Sequence, residues 1–138
     1  MEEWAKREQE GFTLLELLIV MSILGILAVV AIPKFNQAIE LANTSKVQLD
    51  LRTLNTAITM YQAEKGTYPA DLQKDLSDYV TDLDKLKPPQ GDCLLRTGGT
   101  ARINASGYSL SSDCKEALCQ TYKAGDFGRS DKNTTPES

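Results

Sequence analysis

The chain contains no histidine. Without an imidazole it cannot assemble a Ser-His-Asp or Cys-His catalytic group, and it lacks the usual near-neutral acid/base and the commonest metal ligand. Carboxylates, Lys, Tyr and Cys remain, but no nucleophile stands in a pattern with an acid/base partner, so an enzyme is not expected. Positive charge is also scarce. Fifteen basic residues against 19 acidic ones give a formal charge of -4, the wrong sign for a protein whose main partner is a phosphate backbone. Cysteine is limited to three residues with no C-x-x-C spacing, which argues against a zinc site. No metal or cofactor is expected. At 138 residues the prior is one small domain, which excludes a large multidomain enzyme.

Apolar residues are present in quantity but unevenly placed. From Phe12 to Ile32 Glu16 is the only charge. At about 1.5 Å per residue a helix over this stretch is roughly 31 Å long, close to the hydrocarbon thickness of a bilayer. Everything after it is polar enough for a water-soluble domain, so the sequence describes a soluble domain on a membrane anchor.

A secretory signal peptide fits this N-terminus poorly. The first eleven residues set Lys6 and Arg7 against Glu2, Glu3, Glu8 and Glu10, and no A-x-A-like cleavage site follows the apolar run. A passive anchor leaves Glu16 unexplained, since a carboxylate inside an apolar helix costs on the order of 3 kcal/mol without a partner. A third reading supplies the partner. If the bond before Phe12 is cut, the new amine lies one helical turn from Glu16 and carries the opposite charge.

The residues around that bond are E-G-F-T-L-L-E, with Gly11 before it, Phe12 after it and Glu16 four residues on. Here the sequence resembles the type IV pilin and type II secretion pseudopilin family, whose precursors share a charged leader ending in Gly, a Phe at the mature N-terminus, a Glu one turn later and an apolar helix carrying a Pro. Pro33 occupies that last position, and Gly66, Tyr68 and Pro69 form the family's G-x-Y-P. Residues 11 to about 69 carry the likeness. The resemblance implies that a prepilin peptidase recognises Gly11, cuts before Phe12 and N-methylates it, and that Glu16 neutralises the Phe12 amine during assembly and sets subunit register. An amine and a carboxylate buried together cost much less than either alone. Family leaders are usually basic, whereas this one carries more acidic than basic residues, so positive-inside orientation is weakly specified.

Pro33 removes a backbone donor, and the helix is expected to kink there rather than end. Beyond it, Phe35, Ile39, Ala42, Val47, Leu51, Leu54, Ile58 and Tyr61 recur at helical spacing as one stripe, the face against which a domain packs. Lys46, Asp50, Arg52 and Glu64 form the polar side. Gly66 is the expected stop, giving a helix on the order of 80 Å long. Asp71–Val80 reads as a short second helix, and Cys93–Thr97, Ala101–Ser111 and Ala117–Lys123 as strands of a small antiparallel sheet, the first two joined at Gly98-Gly99. From Gly125 the chain is polar and is expected to be a flexible tail, with Phe127 able to tack its front down.

A domain of residues 34–124 has a marginal core that a covalent brace would help. Cys93, Cys114 and Cys119 are the disulfide candidates, because the anchor places them outside the cytoplasm. Cys93 with Cys114 or Cys119 is favoured over the short Cys114–Cys119 loop, since bridging separated strands constrains the unfolded chain more. The third cysteine is left free, buried or engaged between chains. Asp113, Asp126 and Asp131 invite a calcium site but lack the EF-hand spacing. Asn43, Asn104 and Asn133 each begin an N-x-S/T triplet, a pattern short enough to arise by chance. Lys115, Lys123, Arg129 and Lys132 have no aromatic interleaving, so nucleic acid is not an expected partner.

The expectation is therefore an α+β, pilin-like protein with a long N-terminal helix, hydrophobic then amphipathic, packed on a small antiparallel sheet. Its parts are a cleaved leader (1–11), a transmembrane and filament-core helix (12–33), a globular domain (34–124) and a tail (125–138). It is expected to be a structural subunit that self-assembles into a helical homo-oligomeric filament. Through the resemblance, a prepilin peptidase, an assembly platform protein and an ATPase are implied partners. Such a chain starts as a single-pass inner-membrane precursor and ends in an extracellular pilus or a periplasmic or cell-wall pseudopilus. The alternatives are a pseudopilin of type II secretion or competence DNA uptake and, from another class, a membrane-anchored monomeric binding domain. Three cysteines lean toward a surface pilin, because major secretion pseudopilins typically lack them.

Overall fold

The structure is a computed structural model that describes residues 11–130. Residues 1–10 of the expected leader and residues 131–138 of the expected tail lie outside the described residues. The chain divides into two compact units at the Asn36–Gln37 boundary. One helix, α1 (Leu14–Lys65), runs through both and continues past Pro33.

In the N-terminal unit every described residue is exposed, including Leu14, Leu17, Ile19, Leu24, Ile26 and Val29. Contiguous Leu, Ile, Val and Ala are good helix material by propensity or by burial in lipid. By length and composition this helix can cross a membrane.

In the second unit α1 buries Thr44, Val47, Asp50, Leu51, Leu54, Ala57 and Ile58, one face at three- and four-residue spacing. The expected stripe is correct from Val47 to Ile58. Its start is not: Phe35, Ile39 and Ala42 are exposed, because the segments that cover α1 first meet it at Asn43 and Thr44, which bond to Asp92 and Leu94. Asp50 also departs from its expected polar side and is buried. Gly66 ends the helix at φ 73, its N–H donating to the Gln62 carbonyl at 2.8 Å, a left-handed stop that glycine adopts without strain.

The second helix, α2 (Leu72–Asp75), is a single turn rather than the expected Asp71–Val80. Asp71 caps it by accepting from the Lys74 N–H at 3.0 Å. Looser turns then carry the chain on, with the Tyr79 and Val80 N–H groups both donating to the Leu76 carbonyl. Leu72, Leu76, Val80 and Leu83 all still enter the core. Burial of these side chains decides the path where so short a segment gains little from helix propagation.

The strands form two two-stranded antiparallel sheets instead of one. β1 (Gly91–Leu94) pairs with β2 (Thr100–Ile103), Cys93 standing opposite Ala101. Gly98 and Gly99, at φ 93 and 95, make the expected turn. β3 (Ser109–Leu110) pairs with β4 (Ala117–Leu118). The anticipated strand Ala101–Ser111 is broken after Ile103, and Tyr108 within the break reaches Asp50. Against these sheets and α2, the buried face of α1 forms one core, an α+β pilin-like arrangement.

The chain remains packed beyond residue 124, where a tail was expected to begin. Phe127 is fully buried and bridges to Leu95. The Gly128 N–H donates to the Leu94 carbonyl at 3.0 Å, the Arg96 N–H to the Asp126 carbonyl at 2.8 Å, and the Gln48 side-chain amide to the Phe127 carbonyl at 2.6 Å. Phe127 is the residue expected to hold the front of this segment, and the hydrogen bonds of Asp126, Phe127 and Gly128 extend the packed stretch beyond what the polar composition indicates.

Candidate functional site

Gly11 and Phe12 precede the helix in non-helical, exposed backbone. Phe12 is 87% exposed, and no atom comes within 4 Å of where a Gly11 side chain would begin. Among the described residues nothing packs against the bond between them.

The helix start just beyond is tied by a reciprocal cap. Glu16 Oε2 accepts from the Thr13 N–H at 3.0 Å and from the Thr13 hydroxyl at 3.2 Å, while the Glu16 N–H donates to Thr13 Oγ1 at 3.1 Å. This is the T-x-x-E capping box, which satisfies two orphan helix-end donors at once and places negative charge at the positive end of the helix. Gly11, Phe12, Thr13 and Glu16 together line an open recess. Thr13 was missed in the sequence reading, although Thr followed three residues later by Glu before an apolar run is its signal. The carboxylate in the apolar segment is thus engaged by its own helix end.

Pro33 lies within α1, where its ring nitrogen offers no donor to the preceding turn. Cys93, Cys114 and Cys119 are all present as thiols, Cys93 and Cys119 buried and Cys114 partly exposed. Burial, helped by Asp92, pushes the Cys93 thiol up to about 11. Burial, then Cys93 and Asp50, pushes Cys119 up to about 11 as well. Neither is a reactive thiolate near neutral pH.

The remaining candidates are dispersed. Asp113 accepts from the Ser111 hydroxyl at 2.6 Å, Asp126 accepts from the Lys123 N–H at 2.8 Å, and Asp131 lies outside the described residues. Among the described residues no group of three His, Cys, Asp or Glu side chains could hold a metal ion. Asn43 donates to the Asp92 carbonyl and Asn104 accepts from Gln120, while Asn133 is not among the described residues. Lys115 sits 5.8 Å from the Tyr68 ring centre and Lys123 pairs with Glu116 at 2.7 Å. Lys132 lies outside the described residues.

Residues 6–32 match the prokaryotic N-terminal methylation motif. The type II secretion system core protein G of Aeromonas hydrophila is 41% identical over 68 residues, covering 49% of this chain and 48% of that protein. The type IV major pilin protein PilA of Myxococcus xanthus is 31% identical over 114 residues, 75% of this chain and 48% of that protein. Fimbrial protein Q of Moraxella bovis is 38% identical over 96 residues, 70% of this chain and 54% of that protein. The chain spans about half the length of these curated relatives. No solved structure matches it.

Proposed function

We propose that this chain, whose methylation motif and relatives support the pilin and pseudopilin family, is a filament subunit made as a membrane precursor and trimmed before Phe12. The observation that carries the reading is the junction itself. An exposed Gly11–Phe12 bond stands immediately before a capped helix whose apolar first part, up to Ile32, has Glu16 as its sole carboxylate, held at that end.

In this reading the helix over residues 12–33 anchors the precursor in the inner membrane and later packs among copies of itself. The fully exposed apolar surface of that segment has no stable place in water. Cleavage before Phe12 creates an amine beside Glu16, and the pair enters the filament interior neutralised. N-methylation keeps the amine basic. Pro33 is proposed as a kink that lets the helix adjust between lipid and filament. The unit beyond it forms the outer surface. A prepilin peptidase, a platform protein and an ATPase are the proposed partners.

Two family branches suit this geometry, a surface pilus and a secretion pseudopilus, and several of the relatives are named core protein G. The test is intact mass with N-terminal sequencing of the protein from sheared surface material and from membranes. A chain beginning at methylated Phe12 supports processing, and its abundance in the sheared fraction indicates a pilus. The same chain confined to membranes indicates a pseudopilus or minor subunit. An uncut chain in its natural host refutes the proposal, and intact function in Glu16→Leu points to an anchored monomeric binding domain.

A further inference from the structure

At the C-terminal end of α1 the chain turns back on itself. Gly66 stops the helix, Pro69 is buried, and α2 with the turns after it returns along the last helical turns. Leu72, Leu76 and Val80 point into the core. That leaves Lys74, Asp75, Asp78 and Tyr79 across from Tyr61 and Glu64, with a recess of about 350 Å³ between them, at the small end of ligand pockets, which run to about 300–1,000 Å³. The proposed filament function makes no use of this recess.

Its walls are fixed before anything binds. The Tyr79 hydroxyl donates to Glu64 Oε2, and the Tyr61 and Tyr79 rings meet edge to face with their centroids 5.8 Å apart. Asp75 Oδ2 accepts from the Ala70 and Asp71 N–H groups at 2.8 and 3.0 Å, so its other oxygen is left to face the recess without a partner among the described residues. These bonds hold both carboxyls below their usual range, Glu64 first through the Tyr79 hydroxyl and Asp75 first through the Asp71 amide. Lys74 and Asp78 have no ion-pair partner among the described residues. Side chains already ordered in this way lose little freedom when a ligand arrives.

The lining sorts ligands by charge and by hydrogen-bond sense. Three carboxylates, Glu64, Asp75 and Asp78, share the recess with the ammonium groups of Lys65 and Lys74. An anion meets the carboxylates there, and among the described residues no three acidic groups close up on a metal ion. An apolar ligand strips water from charged groups and gives them no partner. A neutral ligand rich in hydroxyls does neither, because each hydroxyl both donates to carboxylates and accepts from ammonium groups. We propose that this recess binds a neutral sugar ring, whose hydroxyls donate to Asp75 and Asp78 and accept from Lys74 while its C–H face packs on the Tyr61–Tyr79 pair. The tyrosines supply the apolar surface that distinguishes a sugar from the water it displaces. Since the recess is open, every hydrogen bond competes with solvent, and the affinity of a single site falls in the millimolar range.

The test uses the full chain with isotope-labelled tyrosine rings, held in a polyoxyethylene detergent that carries no sugar headgroup. It is titrated with a panel of neutral probes, the methyl glycosides of glucose, galactose, mannose and N-acetylglucosamine. The expected result is a saturable shift of the Tyr61 and Tyr79 ring signals with at least one of these probes, while Tyr122, packed on Phe127, stays in place. Asp78→Asn and Lys74→Ala change exposed side chains outside the core, and each should weaken binding about fivefold, the size of one lost hydrogen bond. Lys87→Ala, outside the recess, should leave it unchanged. Unaltered Tyr108 and Tyr122 signals in the unliganded variants show that their fold is intact. Failure of the whole panel to move Tyr61 and Tyr79 overturns the proposal, as does equal affinity in Asp78→Asn and Lys74→Ala. A response to tetramethylammonium but to no sugar also overturns it, and makes the recess a site for organic cations.

Discussion

Tyr108 donates its hydroxyl to Asp50 Oδ2 at 2.6 Å, and Lys46 donates to the same oxygen at 2.6 Å. Asp50 is 6% exposed, so this carboxylate on α1 depends on those two partners for its solvation. Tyr108, in turn, has its hydroxyl held protonated by burial and then by Asp50. The pair ties the loop between β2 and β3 to the middle of α1. Tyr108→Phe removes one donor and is expected to cost about 1–3 kcal/mol, with Asp50→Asn in the same range. The double variant should cost less than the sum, read from urea unfolding of the detergent-solubilised chain. Strict additivity would show that the two residues act separately.

Phe127 fills the core from a segment whose composition reads as tail. Phe127→Ala should cost about 3–5 kcal/mol, a large share of a small domain's stability. Gln48→Ala, which frees the Phe127 carbonyl, should cost about 1 kcal/mol. Amide exchange at Gly128 and Arg96 reports whether the segment has come away from β1. Protection unchanged in Phe127→Ala would contradict this anchoring role.

The Thr13–Glu16 cap predicts a graded response at the helix start. Thr13→Ala should destabilise the first turn by about 0.5–2 kcal/mol, and Thr13→Ser should restore most of it. Hydrogen exchange of the first-turn amides in micelles measures the effect. Equal exchange in all three proteins would mean that the cap contributes nothing.

Alkaline pH should report the two buried thiols. Burial raises Cys93 and Cys119 from 9.0 to about 11 in the folded state, so between those values the unfolded chain has released protons that the folded chain retains. The stabilisation is complete below pH 9 and lost as pH rises through about 11. Replacing both cysteines by alanine removes this contribution and leaves the raised hydroxyls of Tyr108 and Tyr79. Denaturation midpoints from pH 8 to 11 should therefore fall more steeply in the reduced unsubstituted chain than in the double variant. Parallel curves would place both thiols in solvent.

Local chemistry was legible in the residues themselves. Gly66 stops α1 and Gly98-Gly99 turns the first hairpin because each requirement is a backbone dihedral that glycine meets cheaply. The apolar helix is legible because lipid asks only for contiguity and length. Even Thr13 was readable from its spacing to Glu16. Where a signal was short, tertiary packing overrode it: α2 shrank to one turn, and the anticipated strand Ala101–Ser111 split so that Tyr108 could reach α1.

The sequence alone determined the membrane-length helix with its single carboxylate beside a Gly-Phe junction, because those features depend on neighbours along the chain. Only the tertiary structure decided that Asp50 is inside, that the backbone around Phe127 stays hydrogen-bonded to β1 and α1, and that Cys93 and Cys119 lie in the core while Cys114 does not. Each of those depends on which distant segment lies against one face of α1. Helical periodicity shows that such a face exists, but the partners that cover it are chosen by packing across the whole fold.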